Sequence, residues 1–484
     1  MHSKSPARHS DCFNPHSKIQ NPKSSAARAL LLALLTLLCA PIAPALAQDL
    51  GHKAPAQAEP VVIQNATVHT VSGATLSNAW VYFTGGKIEG LGDGPLPRFA
   101  QSVRMIDGAG KHVYPGLIAP YSQVGLTEIA AVRATLDMGE VGQATPEVRA
   151  VVAVNPDSTL IPVTRANGVL LAGVFPQTNF GGLLNYFDGP GGLIPGRAGV
   201  VRLDGWTWED MTVVPDIGLV INWPLSRPIV ATWMDRSEDD QQKDIDRTHR
   251  ILDEMITGAK SYAATRAADA SLPTDLRFEA MRALFAAGAA KRPILAMCGD
   301  ADQIRSAVSF CAKHSLKCII VGGAEAPQCA ELLKRHSVPV IVSNGTMRFP
   351  RRDDSAYDEA YTLPARLEAA EIDWCLASGE ETPHERNLPY SAAMAAAHGL
   401  APDAALRSIT LSAAKILGIA DRYGSLETGK SATLFIADGD ILEVSTNVEA
   451  CFIDGRALDM DDKHKALERK YREKYRQSGQ IQKK

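Results

Sequence analysis

Apolar positions along the chain follow two different rhythms. Val61-Val62-Ile63 and Ala79-Trp80-Val81-Tyr82-Phe83 are β-rich, Gly85-Gly86-Lys87 makes a turn, and Val103-Arg104-Met105-Ile106-Asp107 is a further strand. This section predicts an antiparallel sheet. After Tyr114-Pro115-Gly116 the rhythm changes. Gly168–Phe175, Gly218–Asn222, Pro293–Cys298, Lys317–Val321, Val338–Val342 and Glu371–Leu376 are short and almost wholly apolar. Helical stretches separate most of them, among them Asp239–Arg266, Asp300–His314 and Ala326–His336. Strands alternating with helices predict βαβ units, and strands without polar alternation are buried on both faces. Their number fits a closed (β/α)₈ barrel.

The Gly-rich region Asn179–Arg202 resists assignment and reads as a long loop over the barrel. From Gly424 strand signals return, with a turn over Gly424–Lys430 and strands over Thr433–Ala437 and Val448–Ile453. Segments from both ends thus bracket the barrel and can join in one small β domain. The tail from Asp459 is highly charged and predicts a solvated helix.

Composition narrows the class. The 484 residues are 45% hydrophobic and 21% charged, which excludes a disordered, collagen-like or coiled-coil chain. With 50 Lys+Arg against 54 Asp+Glu, no basic excess invites nucleic acid. Lys18, Lys23 and Arg28 precede an apolar run from Ala29 to Ala40, and Ala45-Leu46-Ala47 fits a cleavage site. That is a signal-peptide pattern. The run is too short to span a bilayer. The expectation is a periplasmic or secreted protein with no membrane contact after cleavage near Ala47. Cysteines Cys298, Cys311, Cys318, Cys329, Cys375 and Cys451 then remain, with no C-x-x-C pair. A zinc ribbon or thioredoxin motif is excluded, and buried free thiols are expected.

Several motifs carry a family resemblance. Tyr114-Pro115-Gly116-Leu117-Ile118 resembles the start of barrel strand 1 in the amidohydrolase superfamily. Gly424–Ala432 resembles that family's return turn, Phe452-Ile453-Asp454-Gly455-Arg456 its closing strand, and Lys87–Gly92 its early hairpin. Arg386-Asn387-Leu388-Pro389-Tyr390, with Ala404, Leu406, Ile409 and Thr410, is similar to helix 8 of the imidazolonepropionase-like branch. The resemblance implies a TIM barrel inserted in a composite β-sandwich. The chain then divides into a signal peptide (1–47), a linker (48–58), the first β-sandwich part (59–114), the barrel (115–423), the second β-sandwich part (424–458) and a charged tail (459–484).

The resemblance also implies a hydrolase acting on non-peptide or cyclic-amide C–N bonds. Members hold one or two divalent metal ions, commonly zinc, with an H-x-H pair after strand 1, histidines ending strands 5 and 6, an Asp ending strand 8 and often a Lys or Glu from strand 4. The ion makes hydroxide from bound water at neutral pH. In this chain those positions read Pro120-Tyr121-Ser122-Gln123, Met297-Cys298-Gly299-Asp300, Ile320-Val321-Gly322-Gly323, Cys375-Leu376-Ala377-Ser378-Gly379-Glu380 and Ile221-Asn222-Trp223-Pro224. No metal ligand is assigned, and no cofactor is predicted.

Three readings stay open: a C–N hydrolase, a pseudoenzyme that binds a ligand or partner, and a metal-free hydrolase using Cys298 or a carboxylate. The catalytic candidates are Cys298, Asp300 and Glu380. The substrate-binding candidates are Tyr121, Gln123, Asn222 and Arg386. The segment Asp204-Gly205-Trp206-Thr207-Trp208-Glu209-Asp210 adds indoles and carboxylates that suit a small-molecule pocket or a lid. The nine histidines beyond residue 47 read as surface or helix-end residues, with His384 nearest the expected mouth. A homo-oligomer, or pairing with a catalytic relative, completes the expected partners alongside a small molecule.

Overall fold

The computed structural model describes residues 52–99, 102–177, 192–230, 236–379 and 382–481. The segment 1–47 read as a signal peptide, most of the Gly-rich region and Glu380 lie outside the described residues.

The chain starts on a small sheet with β1 (Val61–His69), β2 (Thr75–Thr84), β3 (Lys87–Gly92), β4 (Arg104–Asp107) and β5 (His112–Pro115). The barrel follows as β6 (Leu117–Ser122), β7 (Val169–Val174), β8 (Gly196–Arg202), β9 (Thr212–Asn222), β10 (Ile294–Cys298), β11 (Cys318–Gly322), β12 (Val340–Val342) and β13 (Trp374–Leu376). Then β14 (Leu434–Ala437), β15 (Val448–Ile453) and β16 (Arg456–Ala457) return to the first sheet.

That first sheet runs β16-β15-β14-β5-β1-β2-β3, with β4 also on β1. The junction between the two chain ends is the antiparallel pair β5–β14, with Val113 opposite Ile436. Phe83 and Phe452, one ring from each end, meet edge-on at 5.1 Å in the shared core. The sheet is mixed rather than antiparallel throughout, because β1 pairs in parallel with both β4 and β5. Gly86 has φ +81°, and a Cβ there would stand 3.0 Å from the Asp454 carbonyl. The turn into β3 therefore needs glycine.

The second sheet runs in order from β6 to β13, and β13 lies beside β6. Its strands are largely buried, as their apolar runs require, apart from the leading residues 212–216 of β9. Long helices cover it outside. Glu238–Ala268 starts where the Ser237 side chain accepts from Asp240 N, with Glu238, Asp239 and Asp240 in its first turn. A capping serine and acidic residues at the positive end of the helix dipole both favour that start.

The barrel departs from the expected all-parallel pattern at one strand. β8, in the region read as a loop, is antiparallel to both β7 and β9. Only residues 203–211 join β8 to β9, and they hold a single helical turn, Trp208–Met211. A parallel neighbour needs a crossover of roughly a dozen residues or more, so this link forces the reversal.

The reversal relocates the indole-and-carboxylate segment. Arg202 stands opposite Leu171, so β8 runs down from the mouth and ends at the N-terminal face of the barrel. Asp204 is buried there, paired with Arg165 at 3.0 Å and with Arg456 of β16 at 3.0 Å. Asp204 thus fastens the barrel to the composite sheet at the face opposite the mouth.

Candidate functional site

In a β/α barrel the side chains that do chemistry come from the C-terminal ends of the strands. At the end of β6, Ser122 Oγ donates to Glu385 Oε2 at 2.8 Å, and Val124 N donates to Ser122 Oγ at 3.1 Å. Glu385 sits in a turn of 3-10 helix, Thr382–Asn387, after β13, and is 2% exposed. First and last barrel strands are thus tied at the mouth by a hydroxyl and a carboxylate. Tyr121 packs on Phe175 with ring centroids 4.9 Å apart. Burial pushes its phenol up, with the Gln123 amide opposing and the Glu385 charge reinforcing the shift. Tyr121 therefore stays protonated at neutral pH. Gln123 Nε2 is buried and faces the Tyr121 hydroxyl without a hydrogen bond of ordinary geometry. The structure brings Tyr121, Ser122, Gln123 and Glu385 together.

Asn222 ends β9 at the same face. Its Nδ2 donates to Gly192 O at 2.7 Å, holding the chain that leads into β8.

Cys298 ends β10 and is buried, its Sγ donating to Ala296 O at 3.6 Å. Burial pushes the thiol well up, and the Asp300 charge adds to the shift. A protonated thiol is a poor nucleophile and a poor metal ligand, so the geometry does not support the cysteine version of a metal-free mechanism. Asp300 accepts from Gln303 N at 2.9 Å as the N-cap of the helix Ala301–Lys313. That is a structural task.

Arg386 is displaced from the mouth. Its carbonyl accepts from Asn167 Nδ2 at 2.9 Å. The residue lines a cavity with Asn167, Tyr390, Val444 and His464, between the barrel flank and the C-terminal helix Lys463–Gln477.

A further mouth group had no signature in the sequence. Glu325, 6% exposed after β11, accepts from Ala301 N at 2.9 Å and pairs with Arg351 at 3.3 Å and Arg352 at 2.9 Å. Beside them a cavity of about 130 Å³ is lined by Gly322, Asn344, Arg348, Arg351 and Glu359.

The donor set does not suit the metal centre that the resemblance implies. Among the described residues, no three of His, Cys, Asp and Glu come together in a geometry to hold an ion. Several histidines are engaged elsewhere: His314 with Asp253 at 2.9 Å, His398 with the Met394 carbonyl at 2.9 Å, and His69 with His112 at 2.9 Å. At the strand ends stand a phenol, a hydroxyl, two amides, a protonated thiol and a glycine. None is a ready ligand for a divalent ion.

Comparison with known proteins gives one partial family match and one shared fold. A family model described as "Amidohydrolase family" matches residues 370–458, from the lead into β13 through β16. No curated protein matches the chain in sequence. Among solved structures, an amidohydrolase from Thermotoga maritima MSB8 superposes with a TM-score of 0.70 at 22% identity, over 82% of this chain and 99% of that one. A Xaa-Pro dipeptidase with bound methionine superposes with a TM-score of 0.50 at 13% identity, over 83% of this chain and 100% of that one. Molinate hydrolase gives a TM-score of 0.50 at 14% identity, over 84% and 96%. By its fold, and by the family match over its last barrel strand and closing β segments, the chain resembles the amidohydrolase superfamily, as its motifs implied.

Proposed function

We propose that this chain is an exported hydrolase of the amidohydrolase type, acting on a carbon–nitrogen bond of a small non-peptide or cyclic amide held at the barrel mouth. The observation that carries the reading is the pair at the end of β6, a buried Gln123 amide donor that faces the Tyr121 hydroxyl without a hydrogen bond of ordinary geometry, beside a phenol kept protonated by burial. An unmet buried donor costs about 1–3 kcal/mol. A substrate carbonyl between Gln123 and Tyr121 would meet it. The Glu385 carboxylate, held by Ser122, stands at the same strand end and is the candidate base. Export rests on the basic-then-apolar start of the chain and the small residues before Gln48.

A second reading is a ligand-binding or partner subunit without turnover. The donor set favours it, since the family's ligand positions hold Tyr121, Gln123, Cys298 and Gly322.

One experiment separates the two. The chain from Gln48, purified without chelator, is assayed on N-acyl amino acids and cyclic imides, with metal content measured on the same sample. Turnover that falls at least tenfold in both Gln123→Ala and Tyr121→Phe supports hydrolysis at this mouth. Absence of turnover, with amide binding detected by calorimetry and lost in Gln123→Ala, selects the second reading.

A further inference from the structure

The opposite end of the barrel holds a larger recess. A cavity of about 600 Å³ opens at the N-terminal face, among the segments that lead into β10, β11 and β12 and the end of the helix Leu411–Ile416. That volume lies within the range of about 300–1,000 Å³ common for small-molecule sites.

Its lining has two characters. Ile217, Val308, Ile319, Val338 and Leu417 form an apolar floor, all of them buried. Lys291, Arg292, Lys317, His336 and Lys415 supply the titratable side chains, apart from the thiols of Cys311 and Cys318, and no Asp or Glu lines the recess. The chain as a whole has more acidic than basic residues, so this is a local concentration of positive charge. A concave site lined by one sign of charge focuses its field on a ligand of the other sign.

These cations are also short of partners. Many arginines of this protein sit on a carboxylate, as Arg197 does on Asp216 and Arg282 on Glu279. Lys291 Nζ donates to the Ser315 carbonyl at 2.6 Å. No ion pair to Arg292, Lys317 or Lys415 occurs among the described residues. Lys415 lies in the last turn of its helix, where a cation suits the negative end of the helix dipole. Arg292 and Lys317 lie on loops just before strands, where the dipole gives no such reason.

We propose that this recess binds a small organic anion with an apolar body: a carboxylate, sulfonate or phosphate monoester carrying an aryl or branched alkyl group. The apolar body rests on Val308, Ile319 and Val338, and the anionic head faces Arg292, Lys317 and Lys415. The site lies at the far end of the barrel from Gln123 and is independent of the reaction there.

The probe is 8-anilinonaphthalene-1-sulfonate, titrated into the folded chain from Gln48 and followed by fluorescence. One saturable site is expected, weakened by raised salt. Benzoate should displace the dye. Affinity should fall at least fivefold in Arg292→Ala/Lys415→Ala and threefold or more in the single exposed variant Lys317→Ala. A surface control, Lys474→Ala on the C-terminal helix, should leave it unchanged. Smaller losses than these, an equal loss in the control, or no saturable binding would overturn the proposal. Displacement by hexaglutamate but not by benzoate would also overturn it, and would point to an acidic protein partner.

Discussion

Ser122 and Glu385 stand 263 positions apart in the chain, and their side chains meet at 2.8 Å with almost no exposure to solvent. The contact joins the end of the first barrel strand to the turn after the last. Removing the hydroxyl takes one donor from a buried carboxylate oxygen and the acceptor from the Val124 amide. Ser122→Ala should therefore lower unfolding stability by about 1–3 kcal/mol. Denaturant melts of the folded chain check this. A loss below a few tenths of a kcal/mol would show that the barrel closes without this contact.

The Asp204 clasp predicts a larger effect. Its carboxylate is fully buried between Arg165 and Arg456, and Arg165 is itself buried. Breaking a buried pair by removing one partner typically costs about 3–5 kcal/mol, because a charge is left without compensation. Asp204→Ala should fall in that range and loosen the barrel from the composite sheet. Hydrogen exchange should then rise in β8 and β16 together. Exchange confined to the Trp208–Met211 turn would contradict a clasp between the two sheets.

Much of this fold was legible in the chain. Runs such as Lys317–Val321 can only be strands covered on both sides, and the matching β segments at the two ends had to pair. The third barrel strand escaped because glycines around it blur the apolar run and because its direction depends on connection length, not on residue type. That reversal also misdirected the reading of Trp206 and Trp208, which lie at the end of the barrel opposite to the one expected. The site was half legible. Tyr121, Gln123 and Asn222 follow from position at strand ends. Glu325 and Glu385 do not, because a buried carboxylate looks like a surface one until its partners are placed. Glu385 adjoins His384, the histidine nearest the expected mouth, in the turn after the last barrel strand.

The six cysteines of the described chain are free and buried. Burial pushes Cys298 and Cys375 up, and Cys451 up to about 12. The reactive form of a thiol is the thiolate, and exposure is needed as well. The folded chain from Gln48 should therefore react slowly with a disulfide reagent at pH 8, and unfolding should release all six thiols. Fewer than six after unfolding without reductant would show that a disulfide forms.

Acid should weaken the composite sheet through His69. Its ring stacks on Tyr114 at 4.1 Å, and its Nε2 lies 2.9 Å from His112 Nδ1. Burial, and then the His112 charge, lower its pKa from 6.5 to about 4, with Asp440 and Asp403 opposing weakly. The folded state thus disfavours the protonated ring, whereas the unfolded chain takes up that proton at the ordinary value. The sign follows from proton counting: the unfolded state binds more protons between the two values. Stability is whole above about pH 6.5 and is lost as pH falls toward 4. His69→Gln, which cannot take up the proton, should flatten that part of the profile. Thermal melts from pH 7 to pH 4.5 on both proteins decide it. An equally steep decline in the variant would move the acid sensitivity to another group.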